Sequence, residues 1–208
     1  MLLNKKVFPS SLKFKSETKE CAKGNTENNG KNVLIIDTPG LMDTNKTLAA
    51  LMPKIYKCLD YCKPGPHVFG IVISPPRFTE EDCRVSDITE NLFGKGYLKH
   101  AVIICTRGDD LEAEETTFED LIKDAPSKIQ QLYSDVDKRV VVVNNRNQDP
   151  SRKLFFDNIT KWGCGETYQE DPYGLMNVIL KYGLASPELR EKIYDMVNTA
   201  IGRFFKKE

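Results

Sequence analysis

The sequence has no run of the ~18 consecutive apolar residues that a membrane-crossing helix needs, and Met1 to Phe14 lacks the long apolar core of a secretory signal. Those absences set the expectation of a soluble, cytoplasmic protein. Neither sign of charge is in excess, with 30 Lys plus Arg against 30 Asp plus Glu. No overall field therefore draws the chain to nucleic acid, and contact with acidic lipid has to be local. The six cysteines, Cys21, Cys58, Cys62, Cys83, Cys105 and Cys164, form no C-x-x-C pair and lack the density of a disulfide-framed domain. Reduced thiols are expected. Cys58 and Cys62 share a helix face at i, i+4, but a structural zinc needs four ligands and no second pair follows. One further absence matters more. A phosphate cradle needs G-x-x-x-x-G-K-[ST], so that clustered N–H groups, a lysine and a Mg²⁺-binding hydroxyl converge on the phosphates. The Gly-Lys pairs here, in N-N-G-K-N (28–32) and F-G-K-G-Y (93–97), lack both the first glycine and the hydroxyl.

What is present reads as an α/β protein. Over 208 residues with 40% hydrophobic content there is enough chain for one full core plus an appendage. Apolar runs bounded by turn residues, V-L-I-I-D (33–37), H-V-F-G-I-V-I-S (67–74), H-A-V-I-I-C-T (100–106) and R-V-V-V-V-N-N (139–145), alternate with segments of helical period near 46–61, 80–93, 117–133 and 150–162. That alternation predicts a doubly wound, mostly parallel sheet, and the continuous apolarity predicts strands covered on both faces. A turn-rich break, G-C-G-E-T-Y-Q-E-D-P-Y-G (163–174), separates the domain, residues 1–162, from a tail. In the tail Ser186 caps Pro187, and Leu189, Ile193, Val197, Ala200, Ile201 and Phe204 form one apolar stripe. The tail is expected to be an amphipathic helix packed on the domain. The alternative is weak contact of Phe204, Phe205, Arg203, Lys206 and Lys207 with a membrane surface.

Three motifs fall at strand ends, where the loops of an open α/β sheet converge on a ligand crevice. They are D-T-P-G (37–40), T-R-G-D-D-L (106–111) and N-N-R (144–146). Asp37 can hold Mg²⁺ through water, and glycine at 40 lets its N–H approach a γ-phosphate. Asp109 can accept two hydrogen bonds from the edge of guanine. Each motif alone also reads blandly, D-T-P-G as an ordinary turn and T-R-G-D-D-L as a polar loop opening a helix. Their occurrence in register is what favours a guanine-nucleotide site.

Together with G-P-H (65–67), R-F-T-E-E-D (77–82) and F-G (93–94), these motifs resemble the GIMAP family, the GTPases of immunity-associated proteins, over residues 7 to 162. The resemblance implies a P-loop GTPase fold binding GTP or GDP with Mg²⁺. Thr18 would then be the first-switch threonine, sharing the metal with Asp37. Thr38, Gly40, Thr106, Arg107, Asp109, Asp110, Asn144 and Asn145 would line the nucleotide. The family's guanine loop reads like Arg-Lys-Glu-Asp-Leu, and Arg107, Gly108, Asp109, Asp110 and Leu111 stand in those places. Family members carry the cradle just upstream of a stretch resembling L-L-N-K-K-V-F (2–8). The chain is therefore expected to be an N-terminally truncated G domain without its first strand and P-loop, the strand that would lie between those at Val33 and His67. Weak nucleotide binding follows.

Leu41 occupies the place where Ras-like enzymes carry a water-orienting glutamine, so hydrolysis is expected to be slow and no catalytic residue is assigned. His67 is a candidate by family pattern alone and otherwise a strand-start histidine. The resemblance also implies a homodimer through the switch face. The competing reading is a nucleotide-free interaction module or scaffold on the same fold.

Overall fold

A computed structural model of the protein describes residues 2–3, 21–38, 54–55, 57–58, 61–62, 65–75, 78 and 80–162. Thr18, Gly40, Leu41 and the expected C-terminal helix lie outside the described residues. The first described unit is a hairpin of β1 (Ala22–Asn28) and β2 (Lys31–Asp37), antiparallel from Ala22↔Asp37 to Asn28↔Lys31. Asn29 and Gly30 join the strands with φ of 51° and 74°. Positive φ at both central residues is the backbone of a type I′ turn, which Asn-Gly favours because its twist matches that of the flanking strands.

The second unit is a three-stranded parallel sheet in the order β3 (Phe69–Ile73), β4 (Ala101–Cys105), β5 (Val140–Val142). Helix α1 (Glu80–Phe93) and a 3-10 turn (Lys95–His100) connect β3 to β4. Three short helices, α2 (Gly108–Ala113), α3 (Phe118–Lys123) and α4 (Ser127–Asp135), connect β4 to β5, and α5 (Gln148–Lys161) follows. The expected single helix at 117–133 is thus two. Pro126 supplies no N–H and disfavours helical backbone at Ala125, so α3 ends and α4 begins afresh.

Alternation along β4 divides the core. Ala101, Ile103 and Cys105 face one way, onto Tyr97, Phe118, Ile129, Leu132 and Val136, and Val102 and Ile104 face the other, onto Val141, Val143, Phe155 and Phe156. All five β4 residues are buried, as the apolar run predicts. Ile159 and Trp162, at helical spacing from Phe155, pack on the second cluster.

Two expectations are corrected. β2 does not extend the parallel sheet among the described residues. It pairs with β1 in a separate two-stranded sheet, because a two-residue loop brings its nearest neighbour in sequence into register at little closure entropy. β3 is not covered on both faces: Val72 is 59% exposed while Ile71 and Ile73 are buried. What ties the hairpin to the parallel sheet is side-chain contact. Val33 packs on the second cluster. From α5, Arg152 donates to the Leu2 carbonyl (3.2 Å), the Thr26 hydroxyl (3.2 Å) and the Glu27 carbonyl. Its guanidinium also lies 4.9 Å from the centre of the Phe156 ring.

A third correction concerns the thiols. Cys21, beside the first residue of β1, is joined to Cys58 by a disulfide, where reduced cysteines were expected. Spacing along the chain gave no sign of the pair, since 37 residues separate them.

Candidate functional site

The loops after β4 and β5 are built as one unit. Parallel pairing puts the C-terminal ends of β3, β4 and β5 side by side, and backbone bonds continue past the strands. The Val143 N–H donates to the Cys105 carbonyl at 2.8 Å and the Gly108 N–H to the Val143 carbonyl at 3.0 Å. Thr106 anchors the other side, its N–H and hydroxyl donating to the Ile73 carbonyl at 3.0 and 3.2 Å. Cys105, next to it, is a closed core group. Burial, with a smaller push from the charge of Glu119, raises its thiol pKa to about 12.

Glycine at 108 permits a close approach. A Cβ there would stand 3.1 Å from Val142 Cγ1 and 3.3 Å from the Val143 carbonyl group, so a side chain would press on the neighbouring loop by a few tenths of an ångström. Arg107 before it takes φ 62°, ψ 40°, left-handed backbone that few non-glycine residues adopt. It turns the chain sharply out of β4 into α2. Its guanidinium is held by the Pro75 carbonyl at 3.5 Å and by Asp110 at 3.1 Å.

On the facing loop, the Asn144 side-chain oxygen accepts from the N–H groups of Arg146 (2.8 Å) and Asn147 (3.1 Å), which folds N-N-R into an Asx turn leading into α5. Ser151 clamps the turn from the helix. Its oxygen accepts from the Asn144 N–H at 2.8 Å and its hydroxyl donates to the Asn144 carbonyl at 3.1 Å. The two loops meet in an ion pair, Arg146 to Asp109 at 3.1 Å, with the Asp109 side chain 21% exposed.

Of the residues singled out in the sequence, Thr106, Arg107, Asp109, Asp110, Asn144 and Asn145 are brought onto these adjoining loops. Asp37 ends β2 and Thr38 follows it, and among the described residues the hydrogen bonding of the parallel sheet does not extend to this strand. His67 is exposed, just before β3. Three contributors went unrecognised in the sequence: Arg146 as partner of Asp109, Ser151 as clamp and Gly108 as the point of close approach. Gly108 was signalled by a glycine between a strand and two acids. The other two carry no local signal.

The unit presents a half-buried carboxylate, a second carboxylate one residue on, and a flanking loop fixed by its own side chains. The model of the AIG1 family matches residues 1–158. The chain belongs to the AIG1 family. Among its relatives, Immune-associated nucleotide-binding protein 7 of Arabidopsis thaliana is 31% identical over 186 residues, covering 84% of this chain and 60% of that protein. Immune-associated nucleotide-binding protein 3 of the same plant is 32% identical over 157 residues, covering 74% of this chain and 47% of that protein. GTPase IMAP family member 8 of Homo sapiens is 31% identical over 149 residues, covering 70% and 22%. The chain thus spans at most 60% of the length of these relatives.

Proposed function

We propose that this AIG1-family chain carries the guanine-reading half of a GTP- and GDP-binding site. In this reading Asp109 accepts hydrogen bonds from N1–H and N2–H of guanine, which adenine does not offer. Thr106, Arg107, Asp110 and the loop at Asn144 and Asn145 wall the base, and Asp37 serves Mg²⁺. The observation that carries it is the joining of the two loops through the Gly108–Val143 hydrogen bond and the Asp109–Arg146 pair. The names of the relatives, nucleotide-binding proteins and a GTPase, supply the ligand class.

The 208 residues hold no G-x-x-x-x-G-K-[ST], so the phosphates need a cradle from outside them. Among the described residues β2 is paired only with β1 and β3 only with β4, which suits a strand entering between them and bringing that cradle. Without it several charge-assisted bonds are missing, each of about 1.5–3 kcal/mol. Micromolar binding corresponds to roughly 8 kcal/mol. The 208-residue chain therefore binds guanine nucleotide at about millimolar strength, and hydrolysis, with Leu41 in the place of a water-orienting glutamine, is slow. A cytoplasmic location and homodimerisation through the switch face belong to the same proposal. No helix among the described residues is long and apolar enough to cross a membrane.

Amide mapping by ¹⁵N NMR tests the site. GDP at millimolar concentration is expected to shift the amides of Thr106 to Asp110 and Asn144 to Arg146. Shifts confined to other surfaces, or none, would favour the nucleotide-free scaffold instead.

A further inference from the structure

The Cys21–Cys58 pair lies outside the nucleotide loops and is used by nothing described so far. Its Cα atoms are 5.6 Å apart, within the range that a disulfide spans without moving backbone, and both side chains are buried, at 8% and 3% exposure. Its position is specific. Cys21 precedes the first residue of β1, and Cys58 sits in helical backbone with Lys54, Ile55 and Tyr61. A second contact joins the same two segments: Lys23 Nζ stands 4.4 Å over the Tyr61 ring. The bond therefore closes the stretch that holds the whole hairpin, Asp37 and Thr38. Since the hairpin shares no sheet hydrogen bond with β3–β5, this closure matters more than it would inside a continuous sheet. A metal is a poor rival, because no cluster of three or more His, Cys, Asp or Glu surrounds the pair among the described residues.

We propose that Cys21 and Cys58 form a reversible redox site whose disulfide staples the hairpin, with Asp37 at its end, to the helical backbone at Cys58. The oxidant is a low-molecular-weight disulfide of the glutathione class. When the segment opens locally and exposes the buried sulfurs, one cysteine thiolate attacks the oxidant, expelling a thiolate and leaving a mixed disulfide on the protein. The second cysteine then attacks the protein sulfur, forms the Sγ–Sγ bond and releases the second thiol. Two protein thiols and one small disulfide become one protein disulfide and two small thiols, and excess dithiol runs the sequence backward. In a reducing compartment the dithiol form predominates, and oxidation tightens the segment that presents Asp37. Cys62 and Cys105 take no part in the exchange, as neither belongs to the disulfide in the structure.

The chain is equilibrated with glutathione disulfide or with dithiothreitol, its free thiols are alkylated, and it is digested without reduction for mass spectrometry. The expected result is a Cys21–Cys58 cross-linked peptide after oxidation, with Cys62 and Cys105 alkylated. Hydrogen exchange of the β1 and β2 amides is expected to quicken at least ~10-fold on reduction while β4 amides hold, and the thermal midpoint to fall by about 10 °C. The double variant Cys21→Ser/Cys58→Ser should show no response to dithiothreitol, and Cys62→Ser the full response. Alkylation of both Cys21 and Cys58 after oxidation, or a Cys58–Cys62 link in their place, would overturn the proposal. So would a cross-link whose reduction leaves hairpin exchange unchanged. If the double variant fails to fold, the wild-type peptides and exchange rates still decide.

Discussion

Replacing Arg152 by methionine isolates what holds the hairpin to the rest of the domain. Methionine keeps an unbranched apolar stem against Phe156 but removes all donors. Three hydrogen bonds disappear, to the Leu2 carbonyl, the Thr26 hydroxyl and the Glu27 carbonyl, together with the guanidinium over the Phe156 ring. A bond from a charged donor contributes about 1.5–3 kcal/mol when well enclosed, and the site is only partly buried, so ~1 kcal/mol each is the better figure. The cation–ring contact adds ~0.5 kcal/mol. The sum is about 3 kcal/mol, or a drop of roughly 1–3 M in the urea midpoint at a slope of about 1–3 kcal/mol per M. If the hairpin opens on its own, the loss appears as faster exchange of the β1 and β2 amides with the β4 amides unchanged. Thr26→Val, which removes one acceptor, should lose about a third as much. Arg152→Met within ~0.5 kcal/mol of wild type, with unchanged hairpin exchange, would refute the idea that this arginine is the tie.

Other substitutions address the loops and the helix start. Gly108→Ala should cost about 1 kcal/mol, because the new methyl meets Val142 and the Val143 carbonyl at 3.1–3.3 Å; an unchanged thermal midpoint would contradict the close approach. Arg146→Ala should tighten GDP binding by up to ~5-fold, since guanine must displace this arginine from Asp109 and a largely exposed pair contributes at most about 1 kcal/mol; calorimetry showing weaker binding would mean that Arg146 contacts the ligand. At the start of α3 the Lys123 ammonium, then the Thr117 hydroxyl, lower the Asp120 pKa below its ordinary value. A lowered folded-state pKa means stability that is present above the unfolded carboxylate pKa and is lost as pH falls through the lower, folded one. Asp120→Asn should therefore destabilise the protein at neutral pH and lose that effect in acid, once the folded-state carboxyl is protonated, and a deficit in urea melts that persists in acid would contradict this origin.

The parallel sheet was legible because its strands are written as unbroken apolar runs. A-V-I-I-C is buried on both faces and read as such. The hairpin was only half legible. V-L-I-I-D was recognised, but A-K-G-N-T-E-N carries little apolar content, and Asn29-Gly30 was weighed as part of a phosphate-loop candidate when its pairing meaning was the stronger one. The helix at 117–133 was overextended because its apolar positions keep their spacing across Pro126. That the loops after β4 and β5 adjoin was readable from the order of the apolar runs. What holds them was not, for a reason of distance along the chain: Asp109 meets Arg146, Gly108 meets Val143, and Cys21 meets Cys58. Pairings between segments so far apart are decided by the fold, and no local pattern announces them.

The central claim is that this chain reads guanine through Asp109, and a paired calorimetric titration with GDP and ADP, on wild type and on Asp109→Ala, tests it most directly. The account predicts that GDP binds the wild type measurably more tightly than ADP. It also predicts that Asp109→Ala loses about 2 kcal/mol of GDP binding, some 30-fold, while ADP is unaffected. Equal affinity of the wild type for GDP and ADP, or a GDP preference that survives Asp109→Ala, would contradict it.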